Sequence, residues 1–282
     1  MKRFFPVVYT LYIGLCIATL LQKDMWDIVM PNVLMCLLFA CCFMTGLFVV
    51  ANRLKRYDLV DVGWGLCFMV IAATSYVLGE GGWVQGAVTG LVAVWGTRLA
   101  WHIGRRIRRT AHEDERYVEL RKNWRGSLAL NTFLRVYLVQ ALLALLVCVP
   151  VMHVNLTRNT DWSLLVALGL AVWVAGFLCE AVADWQLASF LANPKNKGKL
   201  MTEGLWKNAR YPNYFGEITM WWGIALIALG TPYGWVGLGG AALITYLIVY
   251  ISGIPPKEAR LRKREGWQEY TTNSRLLLPL PK

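Results

Sequence analysis

The segment Arg210-Tyr211-Pro212-Asn213-Tyr214-Phe215-Gly216-Glu217 sets a guanidinium, two phenols, an amide and a carboxylate directly ahead of the apolar run Ile218 to Leu229. Hydrocarbon tolerates such groups only where they pair or line a protein cavity, so polar chemistry at the mouth of an apolar helix marks a binding or catalytic site. A second set lies upstream, with Glu180 and Asp184 four residues apart and then Gln186 and Asn193. Carboxylates at that spacing share a helix face and repel, which demands amides, hydroxyls or cations opposite. Asp184 is the stronger ligand candidate of the two. A third set is Asp58 and Asp61, also on one face. Asp58 reads as an interfacial helix cap. Asp61, one turn deeper, must be paired, hydrated or protonated, and a protonated acid in a dry site can deliver a proton.

Cations complete the inventory. Arg98 lies deep in an apolar run, followed by His102 and by Arg105, Arg106, Arg108 and Arg109. Arg98 either pairs with an acid, Asp61 or Glu180, or opens a cationic path for a ligand phosphate or carbonyl. Glu258, after Pro255-Pro256-Lys257, reads as a helix-start carboxylate. The amphipathic stretch from Glu269-Tyr270 to Pro279 is suited to covering a cytoplasmic pocket. Glu113, Asp114 and Tyr117 read as solvated loop residues.

The elements that must position these groups are membrane helices. Over 282 residues, 57% are hydrophobic and 14 are Trp, more apolar than a soluble domain of this length. About 20 apolar residues span the hydrocarbon as helix, and such runs occur at 4–22, 31–51, 59–79, 83–103, 127–151, 163–191, 213–230 and 232–253. The spacing predicts an all-α polytopic bundle of about eight transmembrane helices. The first run has a short basic start but no small-residue cleavage pattern before Lys23-Asp24, so it is expected to remain as a membrane helix.

Orientation follows from the basic residues. All of the 29 except Lys23, Arg98, Arg135 and Arg158 fall on the termini or on alternate connections, which places both termini and the wide loops 104–126, 192–212 and 254–282 in the cytoplasm. The net charge of +12 is spread over these loops, fitting anionic membrane lipids and excluding a nucleic-acid module. The seven cysteines show no CxxC or His-ligand spacing, so they are read as packing residues with no metal. No internal repeat or long linker divides the chain, which reads as a single integral membrane domain over 1–282.

The residues Glu180 to Asp184, Asn193-Pro194, Gly204-Leu205-Trp206, Arg210 to Glu217, Trp221, Ser252-Gly253-Ile254-Pro255 and Glu269-Tyr270 together give the chain a family resemblance. It resembles the DUF1295 branch of the steroid 5α-reductase-like membrane proteins, over roughly 51–282, with helices within 1–50 including an addition to a seven-helix core. The resemblance implies NADPH bound in the bundle, reached from the cytoplasm, and hydride reduction of a carbon–carbon double bond conjugated to a carbonyl in a hydrophobic lipid. It implies cofactor-binding roles for Arg98, Arg109, Asp184, Asn193, Arg210, Asn213, Tyr214, Glu217 and Glu258. Catalytic roles fall to Asp61 and Trp95, where Asp61 matches a family Glu, Val60 replaces a Gln and Trp95 replaces a Tyr. An indole N–H can hydrogen-bond but cannot supply a proton at neutral pH. A membrane methyltransferase of the isoprenylcysteine carboxyl methyltransferase kind, using S-adenosylmethionine, shares an Arg-aromatic-Pro-x-Tyr element, although Ala259 stands where it has a second acid. A non-catalytic lipid-binding protein is the third class. The basic loops suit a bacterial inner membrane.

Overall fold

The computed structural model describes residues 23–110, 112–157 and 161–281. The expected span at 4–22 lies outside them. Every named element among the described residues is helical. Five helices there are long and apolar enough to cross a membrane: Val29–Leu54, Leu59–Leu78, Leu128–Val147, Leu164–Ala192 and Gly234–Leu261. The chain is therefore a helical membrane protein.

Two compact units make up the chain. The first comprises the described residues up to Asp161 together with Thr231–Gly239. It contains α1 (Lys23–Leu54), α2 (Leu59–Leu78), α3 (Trp83–Arg108), α4 (Glu115–Arg121), α5 (Leu128–Val147) and α6 (Val149–Leu156). The helix expected over 127–151 divides here because Pro150 has no N–H to donate and seats naturally in the first turn of a new helix. Packing of α2 on α3 depends on Gly65 and Gly96: a Cβ on either would meet the other's backbone oxygen, at 2.8 and 2.6 Å. Asp61 lies one turn before this crossing and Trp95 beside it. Trp95 is 2% exposed and packs edge-on against Phe68, with ring centroids 5.3 Å apart.

At the far end of α2, Asn155 of α6 donates to Ala72 O at 3.1 Å, Ser75 Oγ at 2.9 Å and Thr89 Oγ1 at 3.1 Å. One amide thus ties α2, α3 and α6 together through buried polar groups.

The second unit comprises Trp162–Gly230 and Gly240–Lys282. Its frame is α7 (Leu164–Ala192) packed antiparallel along α9 (Pro212–Leu229), with the short α8 (Leu205–Asn208) between them in sequence. A helix, α10 (Leu238–Tyr246), enters it and runs on through a π-helical turn at Leu247–Ile251, followed by α11 (Ile254–Leu261) and α12 (Trp267–Asn273). Glycines seven residues apart bring α7 and α9 together. A Cβ on Gly216 would lie 2.5 Å from Gly176 O, and one on Gly223 would lie 2.7 Å from Gly169 O. The backbones are in contact, which brings side chains beyond the Gly176–Gly216 pair within reach of the facing helix.

Candidate functional site

The second unit gathers most of the polar residues singled out above. Glu180 and Asp184 of α7 are buried, 3% and 6% exposed. The Gly176–Gly216 contact sets Asn213, in the first turn of α9, against Asp184, and Asn213 Nδ2 donates to Asp184 Oδ1 at 3.1 Å. This is the amide expected opposite the carboxylate pair. Glu217 follows one turn later, half-buried.

The segment leading into α9 is held from both sides. Trp206 Nε1 donates to Ala183 O at 3.0 Å, and Leu205 N–H donates to Gln186 Oε1 at 3.0 Å, docking α8 on α7. Gly204 lies in the left-handed region, φ 57°, and a Cβ there would strike the Gln186 amide at 2.5 Å, so the docking requires glycine. On the other side, Arg210 N–H donates to Arg275 O at 2.9 Å and Arg275 N–H to Asn208 O at 2.8 Å, a parallel bridge between the tail and this segment. Tyr270 Oη donates to Trp206 O at 2.6 Å. The tail therefore lies on the 206–211 segment.

Arg210 and Glu258 meet at 3.4 Å, and Arg210 Nη1 also donates to Ser274 O at 3.0 Å. Glu258 pairs in addition with Arg262 at 3.3 Å. Expected as a helix-start carboxylate, it instead joins α11 to the α9 entrance. Tyr214 stacks on Tyr211, centroids 5.8 Å apart, and the Lys257 ammonium sits 4.1 Å over the Tyr214 ring. Asn193, by contrast, is exposed, and its Oδ1 accepts from Lys195 N–H at 3.1 Å to cap a 3-10 turn.

Among the buried polar atoms of this region that make no hydrogen bond to the chain are Asn213 Oδ1 and Tyr211 Oη. Tyr211 is 1% exposed. Burial, then the Glu258 carboxylate, push its phenol above the ordinary tyrosine range, with Arg210 opposing, so it holds its proton at neutral pH. An unpaired buried hydroxyl or amide oxygen costs free energy that folding alone does not recover. An amide oxygen awaiting a donor, a phenol able to donate, and cations alongside fit a polar organic ligand such as a nucleotide. The sequence gives Asn213 a ligand role but none to Tyr211, which reads there only as one phenol of the motif.

In the first unit the acids form a different structure. Asp61 accepts from Tyr117 Oη at 2.5 Å and from Arg116 Nη2 at 2.7 Å, with Arg106 Nη2 at 3.7 Å. All of these partners are donors, and the group at this site that carries a transferable proton is the Tyr117 phenol. Burial, then Asp61, raise that phenol well above the usual tyrosine range. Tyr117, expected as a solvated loop residue, is 8% exposed. Asp58 occupies the cap position of α2 but its side chain makes no cap hydrogen bond. Its carboxylate instead takes both Arg56 Nε and Nη2 at 3.0 Å and Asp114 N–H at 3.2 Å. Glu113 pairs with Arg121 and accepts from Tyr57 N–H at 3.0 Å. Burial opposes ionisation of Asp114, but its bonds with Arg116 outweigh it and hold that carboxyl below the usual range. The result is an ionic clasp that seats α4 on the start of α2. Arg98 is half-buried on α3, one turn beyond Trp95, and Arg109 is exposed at the end of α3.

A family model described as "Protein of unknown function (DUF1295)" matches residues 47–274. The chain belongs to the DUF1295 family. Among curated proteins, this DUF1295 chain is similar to "Probable O-methyltransferase ustE" of Ustilaginoidea virens, 39% identical over 69 residues, 24% of each chain. It is also similar to "3-oxo-5-alpha-steroid 4-dehydrogenase 1" of Macaca fascicularis, 32% identical over 121 residues, 43% of this chain and 42% of that one. The match spans less than half the length of either relative. No solved structure matches the DUF1295 chain.

Proposed function

We propose that this DUF1295 protein is an NADPH-dependent membrane reductase that saturates a carbon–carbon double bond in an unsaturated, steroid-like or other lipid. The reading includes eight spans in a bacterial inner membrane, with both termini and the access to the site on the cytoplasmic side. The observation that carries it is the buried Asp184–Asn213 pair, whose amide oxygen remains without a donor, in a helix entrance also bearing Arg210, Tyr214, Glu217 and Glu258. The similarity to a protein named as a steroid dehydrogenase supports it.

In this reading Asp184, Asn213 and Glu217, with Arg210, Tyr214, Asn193 and Glu258, would hold NADPH, and Arg98 and Arg109 are added to the holding set on the resemblance alone. NADPH supplies a hydride when bound. The apolar walls of α7 and α9 exclude water that would compete with that chemistry. Reduction of a conjugated double bond leaves charge on the carbonyl oxygen, which requires hydrogen-bond donors and a proton. The proton is assigned to the Asp61–Tyr117 pair, in which the phenol carries the hydrogen that Asp61 accepts, and Trp95 would contribute an indole donor and an apolar wall.

A second reading, S-adenosylmethionine-dependent methyl transfer, draws on the relative named as a probable O-methyltransferase. Ligand-induced thermal stabilisation of the detergent-solubilised protein separates the two, because a ligand of the native state raises its apparent stability. Selective stabilisation by NADPH over NADH and S-adenosylmethionine is expected; selective stabilisation by S-adenosylmethionine would replace reduction with methyl transfer. Asp61→Asn is expected to lower turnover with little change in NADPH binding, and Glu217→Ala to weaken binding itself. Equal losses of both in each variant would refute these roles.

A further inference from the structure

Neither the family resemblance nor the relatives assign a role to Tyr211. Its ring is fully packed, stacked on Tyr214, yet its hydroxyl makes no hydrogen bond to the folded chain. Tyr270 provides the contrast within the same unit. That phenol is also buried, and it donates to Trp206 O at 2.6 Å with Ala209 O at 3.2 Å. Phenylalanine would fill the Tyr211 position with the same ring and no orphaned oxygen, so the hydroxyl is a burden on the fold unless something else uses it.

The surroundings say what would. Arg210 is the preceding residue and pairs with Glu258, Lys257 lies over the ring stacked on Tyr211, and Arg262 also pairs with Glu258. Arg210, Lys257 and Arg262 stand here beside Glu258, and these cations are the groups an oxygen carrying negative charge would pair with. A neutral O–H beside such cations is a donor suited to a phosphate oxygen.

We propose that the Tyr211 hydroxyl is a ligand-binding group that donates to a phosphate oxygen of a bound nucleotide. This rests on the NADPH reading above. S-adenosylmethionine has no phosphate, so the contact belongs to the reductase reading alone. An anionic phospholipid headgroup carries the same oxygen chemistry and is the alternative source.

The test is Tyr211→Phe in the full-length protein in detergent, with Tyr270→Phe as control, measuring thermal stability with and without NADPH and, separately, in nanodiscs with and without phosphatidylglycerol. The unliganded Tyr211→Phe protein is expected to melt at or above the wild-type temperature, whereas Tyr270→Phe melts lower. NADPH is expected to bind Tyr211→Phe about tenfold more weakly, the loss of one hydrogen bond to a charged group. A wild-type protein that NADPH does not stabilise overturns the reductase reading and this assignment with it. Wild-type stabilisation that Tyr211→Phe retains in full overturns the assignment alone. A lower unliganded melting temperature for Tyr211→Phe also overturns it, because the hydroxyl would then serve the fold. Equal NADPH binding combined with loss of phosphatidylglycerol stabilisation would move the contact to lipid.

Discussion

At the scale of single residues, the candidate site rests on an asymmetry in Asn213. Its amide nitrogen is committed to Asp184, while its oxygen has no partner. Asn213→Ala removes the donor and leaves a buried carboxylate oxygen short of one hydrogen bond, a cost of about 1–3 kcal/mol. A lower melting temperature and a loss of NADPH stabilisation are both expected, read by thermal unfolding in detergent. Unchanged stability would mean that Asp184 does not depend on this amide. The carboxylates were legible in the sequence because charge inside an apolar run stands out. Tyr211 was not, since phenols are common at membrane interfaces and only the tertiary structure shows that one hydroxyl is paired and another is not. The same holds for Asp61, whose depth was readable but whose donors come from a segment 55 residues away.

At the scale of elements, glycine decides how α7 and α9 meet. Gly176 and Gly216 leave no room for a Cβ, with backbone atoms at 2.7 Å or closer. Gly216→Ala forces the helices apart or strains them, at about 1–3 kcal/mol for an overpacked contact. Because Asn213 is one turn from Gly216, the variant is expected to lose nucleotide binding as well as stability. Gly46→Ala is the matched control, since a Cβ there meets nothing within 4 Å, and a helical Gly→Ala change in open space is neutral or slightly stabilising. Equal melting temperatures for the two variants, by the same thermal scan, would show that the glycine contact does not hold α7 to α9. The seven-residue spacing of Gly169 with Gly176 and of Gly216 with Gly223 was present in the sequence as a signal, but two glycine pairs on separate helices do not declare that they face each other.

For the whole molecule, the basic residues predict an even number of spans with both termini in the cytoplasm. Reporter fusions active only in the cytoplasm are expected to be active at the N-terminus and at the C-terminus alike. Activity at one end only would mean an odd number of spans. Among the described residues, α3 and α9 are helices, yet they are not among those that qualify as spans by length and composition. Both carry the polar groups of the candidate sites, and those groups dilute their apolar character.

Membrane class, helical architecture and the identity of the acidic, amide and arginine residues were set by the sequence itself, because burying charge in hydrocarbon is costly enough to leave a clear pattern. Partnership was decided only by the tertiary structure. Asp61 with Tyr117 and Arg116, Asp184 with Asn213, Arg210 with Glu258 and the tail, and the solitary hydroxyl of Tyr211 all depend on where distant segments approach. A hydrogen bond acts over about 3 Å, and no periodicity along one helix reports which residue of another will arrive within that distance.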